Sequence, residues 1–275
     1  MSSSEVHSFS HEAMTTFFEV MIKGEDSEYA RQAAEAVFRE VDRLEGILSR
    51  FNACSDIGQI NLLKPGESVR VSIEALECLE QASWIYELSA GLFDPARGSG
   101  FDGLKIDRSS FCVGWDENGA GKLDLGGIGK GYALDRAKEI LKEWEIGQAL
   151  IHAGSSTVLA CGGSWDIGVG GLWAEGTPEG VFALEDQALS GSGTEVKGEH
   201  IIDPFSGKAP SHHLAAWAVH PSAAISDALA TAFMLLDDNK IKELCVLNPE
   251  TVAFVVNQKE ELKKIRSELD GEKCF

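Results

Sequence analysis

A chain of 275 residues, 44% hydrophobic and 25% charged, is long enough to bury a core as one large domain or two small ones. Its formal net charge of -20 argues against general binding to nucleic acid or to an anionic membrane. An anionic ligand stays possible, because a local glycine turn, a lysine and a metal can override the global field.

Residues 1–12, MSSSEVHSFSHE, are polar and lack both a basic n-region and an apolar h-region. They read as a disordered tail with no signal peptide, followed by a single domain over residues 13–275. No apolar run approaches membrane-spanning length. The six cysteines form no CxxC pair, so zinc and thioredoxin-type chemistry are not expected. Scattered single cysteines go with reduced core thiols, and the expected location is cytoplasmic.

Thr15 to Ile22, TTFFEVMI, reads as a strand from its aromatic and β-branched content. Gly24 to Ser27 is a turn. A helix follows from Glu28 to about Leu48, with Ala33, Val37, Val41, Leu44 and Leu48 spaced three or four apart. Ser49 to Leu62 is polar and aperiodic, hence a loop. Ser72 is placed to N-cap a helix that carries Ile73, Leu76, Leu79 and Ile85 inward and ends at Gly91. Leu92 to Gly103, LFDPARGSGFDG, is a second loop. Leu92, Phe93 and Asp94 at a helix exit suit a ligand rim; equally, Asp94 can simply cap the turn.

Leu123 to Arg136, LDLGGIGKGYALDR, organises the chain. Leu123 and Leu125 read as a short strand, four glycines follow within six residues, and Tyr132, Ala133, Leu134, Ala137 and Ile140 begin a helix that runs to about Trp144. Strand, glycine turn and helix bring backbone amides and a helix N-terminus to a phosphate, and Lys130 adds positive charge there. The stretch is neither a Walker loop nor a clean GxGxxG, and a turn with purely geometric glycines is the alternative.

Ala149 to Ala153, Thr157 to Cys161, Trp165 to Val169 and Val181 to Leu184 read as strands. Glu199 to Pro210, EHIIDPFSGKAP, collects His200, Asp203, Ser206 and Lys208 on a strand and turn. Ala215 to Val219 is a strand. Ala223 to Leu236, AAISDALATAFMLL, is an almost wholly apolar helix whose polar groups are Ser226, Asp227 and Thr231. A buried carboxylate is costly unless paired or metal-bound. Asp227 and Thr231 lie one turn apart on one face, which suits a hard cation such as Mg²⁺; a helix-capping Asp227 with a back-bonding Thr231 is the alternative. A helix near Ile241, a strand at Val252 to Val256 and a charged end helix complete the chain.

Three stretches together, LDLGGIGKGYALDRA, HIIDPFSGKAP and DALATA, resemble in order and spacing the ApbE family of FAD:protein FMN transferases, from about Met14 to the end. The resemblance implies an α+β fold of helices packed on mixed β-sheets, with the cleft between an N-terminal and a C-terminal half. It implies FAD as substrate, Mg²⁺ as cofactor, and transfer of FMN through its phosphate to a threonine of an acceptor protein, with release of AMP. By resemblance Asp227, Thr231 and the carbonyl of Gly127 hold the metal. Met14, Phe51, Leu92, Phe93, Asp94, Asp124, Lys130 and Ile201 contact FAD, and His200 ranks first as the proton acceptor because its ordinary pKa lies near neutral. Three motifs depart from the family pattern: MTT at Met14 has lost a glycine, GSS stands at Gly154, and SGSG stands at Ser190. A plain FAD pyrophosphatase, with water as nucleophile, and a non-catalytic flavin-binding protein are the alternative functions.

Overall fold

The computed structural model describes residues 5–168, 181–193 and 201–267. Its first element corrects the expected disordered tail. Strand β1 (Val6–Ala13) pairs antiparallel with β2 (Thr16–Lys23), with Ala13 opposite Thr16. The segment reads as a tail because its inward face carries His7, Phe9 and His11 rather than an apolar row. Helix α1 (Ser27–Leu48) satisfies that face: His11 stacks on Phe38 at 5.1 Å, and its Nε2 lies 2.7 Å from an Asp42 oxygen. The hairpin loop is Met14 and Thr15, at φ 50° and 59°. Two positive φ values are what a two-residue loop between right-twisted strands demands, and they explain why a glycine is at home here.

The main sheet has eight strands in the order β1, β2, β6 (Ala149–Ala153), β7 (Thr157–Cys161), β10 (Ala188–Gly193), β11 (His213–His220), β12 (Val252–Asn257) and β13 (Leu262–Arg266). Among the described residues every strand pairing is antiparallel. A smaller sheet joins β3 (Ser68–Arg70), β5 (Cys112–Trp115) and β4 (Leu104–Asp107), and β8 (Ser164–Gly168) pairs with β9 (Val181–Glu185). The α+β class is as expected. The end helix is not: residues 262–266 form β13, an edge strand whose charges face water. Within the expected loop at 49–62, Asp56–Ile60 form a short helix, α2, capped by Ser55.

Helices α1, α4 (Gly129–Glu143) and α5 (Ala223–Leu235) cover one face of the main sheet, α3 (Ile73–Leu88) packs against α1 and α5, and together they enclose the large core. A smaller cluster of Leu150, Val158, Leu184, Leu189, Val219 and Phe254 lies on the other face. Burying a side chain of this kind stabilises by about 1.5–3 kcal/mol, which sets the scale of each inward position. Helix α6 (Asp238–Leu247) packs beside β12 and β13.

The contact that positions the site is between α4 and α5. A Cβ at Gly131 would fall 2.2 Å from the carbonyl oxygen of Ala223, so only glycine lets α4 approach the first turn of α5 this closely. Asp135, one turn further along α4, accepts hydrogen bonds from the amides of Ala223 (2.7 Å) and Ala224 (3.0 Å) and from the Ser222 hydroxyl (2.6 Å). It thereby caps α5 from a neighbouring helix. Burial raises the Asp135 carboxyl above its ordinary value, and these donors pull the other way.

Candidate active site

The glycine stretch is built differently from its expectation. Leu123 and Leu125 are buried, but they do not join a sheet. Leu123 exchanges hydrogen bonds with the Asn61 side chain, and the Asp124 amide donates to the Pro95 carbonyl at 2.8 Å. The alternation that reads as a strand is an extended segment pinned between two loops. Helix α4 starts at Gly129, so Lys130 lies in its first turn rather than in the loop. Its ammonium turns back to the Gly126 carbonyl at 2.9 Å and to Asp227 Oδ2 at 3.4 Å.

A cleft of about 600 Å³ opens beside this stretch. Its N-terminal wall includes Leu92, Phe93 and Asp94 from the loop after α3, with Asp124, Gly127 and Lys130. The facing wall includes Ile201, Asp227 and Thr231, with Ser192 from β10. Nine residues expected at the site therefore line one cavity between the two halves of the chain. Three do not. Met14 sits in the hairpin loop and packs against the main core. Phe51 is 76% exposed, outside the lining, with the Arg50 guanidinium stacked 4.4 Å from its ring centre. His200 lies outside the described residues.

Asp94 spends its oxygens on its own loop, accepting from the amides of Ala96 at 2.7 Å and of Gly98. The turn-capping reading thus holds for this residue as well as the rim placement. Asp124 accepts from the Gly126 amide at 3.0 Å and faces two guanidiniums, Arg50 at 3.4 Å and Arg97 at 3.3 Å. Sequence reasoning missed Arg50 and Arg97, since both come from loops with no periodicity. It named Asp203 without a role. Asp203 lines the cleft and shapes its turn by accepting from the amides of Phe205 (2.8 Å) and Ser206 (3.1 Å). Burial works to raise its carboxyl, and those amides outweigh it, leaving the net value lowered.

The α5 pair, Asp227 and Thr231, is the most loosely hydrogen-bonded polar group of this wall. Asp227 is only 4% exposed. Its contacts are all long: Lys130 at 3.4 Å, the Gly131 amide at 3.3 Å and the Thr157 hydroxyl at 3.4 Å. Thr231 Oγ1 is similarly loose, 3.4 Å from both the Asp227 carbonyl and Ser192 Oγ. A buried carboxylate without a short hydrogen bond is under-satisfied and is ready to take a cation. A Cβ at Gly127 would lie 3.3 Å from both Thr231 Oγ1 and Phe93, so the glycine turn closes directly over this pair. Among the described residues no three His, Cys, Asp or Glu side chains are grouped to hold a metal. A cation here would rest on one carboxylate and neutral oxygens, a donor set that fits a hard ion such as Mg²⁺ completing its shell with water and substrate.

The sequence profile of the ApbE family matches residues 14–256. The chain belongs to the ApbE family. It is 24% identical over 280 aligned positions to an FAD:protein FMN transferase of Chlamydia pneumoniae, covering 82% of this chain and 83% of that one. It is 26% identical to an FAD:protein FMN transferase of Klebsiella pneumoniae, covering 75% of each. The crystal structure of the ApbE protein of Thermotoga maritima superposes with a TM-score of 0.80 at 24% identity, over 96% of this chain and 98% of that one. The fold is therefore the ApbE fold, and the cleft between the glycine turn and α5 is a feature of this family member's own side chains. No described helix is long and apolar enough to cross a membrane.

Proposed function

We propose that the protein is a Mg²⁺-dependent FAD:protein FMN transferase that cleaves the FAD pyrophosphate and attaches FMN to a threonine of an acceptor protein, releasing AMP. The relatives in the Chlamydia and Klebsiella species are named FAD:protein FMN transferases, and family membership supports carrying that transfer here. The observation that carries the reading is the meeting of Asp227, Thr231 and Gly127 in one cleft with Lys130 and the glycine-turn amides.

Asp227 and Thr231 would hold the ion with the Gly127 carbonyl. When bound, Mg²⁺ neutralises charge on the pyrophosphate. The chain's own groups bind and orient. Phe93 and Leu92 give an apolar wall for a planar ring, and Arg50 and Arg97 fix the Asp124 carboxylate at the rim. The threonine oxygen forms a bond to the FMN-side phosphorus as the bond from that phosphorus to the AMP-side bridging oxygen breaks. The hydroxyl proton passes to a base, for which His200 is the first choice by its ordinary pKa. The described cysteines are all free thiols, which supports a reducing, cytoplasmic setting for the reaction.

Incubation with FAD, Mg²⁺ and a threonine-bearing acceptor, read by mass spectrometry of the intact acceptor, tests the reading. The expected result is an FMN-sized mass increase lost on Thr→Ala substitution in the acceptor. AMP without a modified acceptor would instead assign FAD hydrolysis, and FAD binding without AMP a carrier.

A further inference from the structure

Lys130 offers its ammonium to the buried carboxylate that the cation needs. It is itself largely buried, with 14% of its side chain exposed against 6% for Asp227. The carboxylate is divided: Oδ2 faces Lys130 and the Gly131 amide, whereas Oδ1 faces the Thr157 hydroxyl. Lys130 is also held by the Gly126 carbonyl at 2.9 Å, one residue from the carbonyl of Gly127. The ammonium thus already occupies one oxygen of the carboxylate that the cation would use.

We propose that Lys130 is the resident counter-ion of Asp227 and that it and the divalent cation compete for this carboxylate. Cation entry then frees the ammonium from Asp227 into the cleft it already lines, where an anionic pyrophosphate is its next partner. This inference rests on the metal site of the preceding section. It adds an order of events, with the cation first and the lysine released second. An ammonium a few ångströms from a divalent ion opposes binding strongly at the low effective dielectric of a buried site. With Lys130 in place, Asp227 has a partner and the cation-free protein carries no isolated buried charge. Lys130 is in this role a positioning residue, acting through Asp227.

Mn²⁺ binding to the FAD-free protein, followed by the electron paramagnetic resonance of free Mn²⁺, tests this without turnover. Lys130→Met and Lys130→Gln are expected to tighten Mn²⁺ binding by about tenfold or more, whereas Lys130→Arg, which keeps the charge, stays within about threefold of wild type. Asp227→Ala is expected to lose the site. If both neutral variants, folded by circular dichroism, bind Mn²⁺ no more tightly than wild type while Asp227→Ala loses it, the competition is wrong and the metal site stands. If Asp227→Ala binds as wild type does, the metal site itself is wrong.

Discussion

Replacing Gly131 by alanine sets two opposing effects against each other. Gly131 lies within α4, where the intrinsic preference for alanine over glycine is worth about 1 kcal/mol of stabilisation. The structure demands the reverse. The new Cβ would meet the Ala223 carbonyl oxygen at 2.2 Å, its carbon at 2.5 Å and Ala224 Cα at 2.8 Å, all backbone atoms that cannot rotate away. Relief needs α4 and α5 to part by about 1 Å, an overpacking cost of about 1–3 kcal/mol. The same movement stretches the bonds from Asp135 to the Ala223 and Ala224 amides and to Ser222. Hydrogen bonds to a charged group contribute about 1.5–3 kcal/mol each, so even partial loss exceeds the helix gain. The expected outcome is a net loss of about 3 kcal/mol, read in urea unfolding as a lower midpoint at unchanged slope. An alanine variant as stable as wild type, or more so, would mean that the α4–α5 contact is not as described, and the placement of Lys130 beside Asp227 would fall with it.

Other outcomes are expected from the same geometry. Thr15→Gly should raise stability by about 1 kcal/mol in thermal or urea unfolding, because a β-branched residue at φ 59° carries the left-handed penalty. Gly127→Ala should leave the unfolding midpoint nearly unchanged but sharply reduce Mg²⁺-dependent AMP release, since its Cβ crowds Thr231 Oγ1 at 3.3 Å. His213 and His220 are buried, and burial lowers both below the ordinary histidine value. The unfolded chain therefore binds protons first as pH falls below about 6.5, and each histidine removes up to about 1.4 kcal/mol of stability per pH unit until its own folded value is passed. Urea midpoints measured from pH 7.5 to 5 should fall accordingly, and His213→Gln should flatten the slope.

Much of the site was legible because its residues break their local pattern. Asp227 and Thr231 are conspicuous in an otherwise apolar helix, and four glycines in six residues announce a turn where backbone approaches something closely. What was not legible depends on neighbours in space. Strand β10 has the sequence ALSGSG, with little β propensity, and is a strand because β7 and β11 pair with it on both sides. Ser192 and Thr157 reach α5 only through that pairing. Leu123 and Leu125 alternate like a strand, yet their partners are Asn61 and loop carbonyls, which no periodicity reveals. The edge strands β1 and β13 carry histidines and lysines where an apolar row would have marked them. The place of Lys130 in the glycine stretch points to a phosphate, whereas its contact with Asp227, 97 positions away, is visible only in the fold.

The central claim is that Asp227 holds a cation on which FAD cleavage depends. AMP release from FAD by the wild-type protein and by Asp227→Ala, measured by chromatography across a Mg²⁺ titration with folding checked by circular dichroism, tests it most directly. The account predicts Mg²⁺-dependent release by wild type and none by the folded variant at any concentration of the titration. Release by Asp227→Ala at the wild-type rate under limiting Mg²⁺ would contradict both the metal assignment and the transfer scheme built on it.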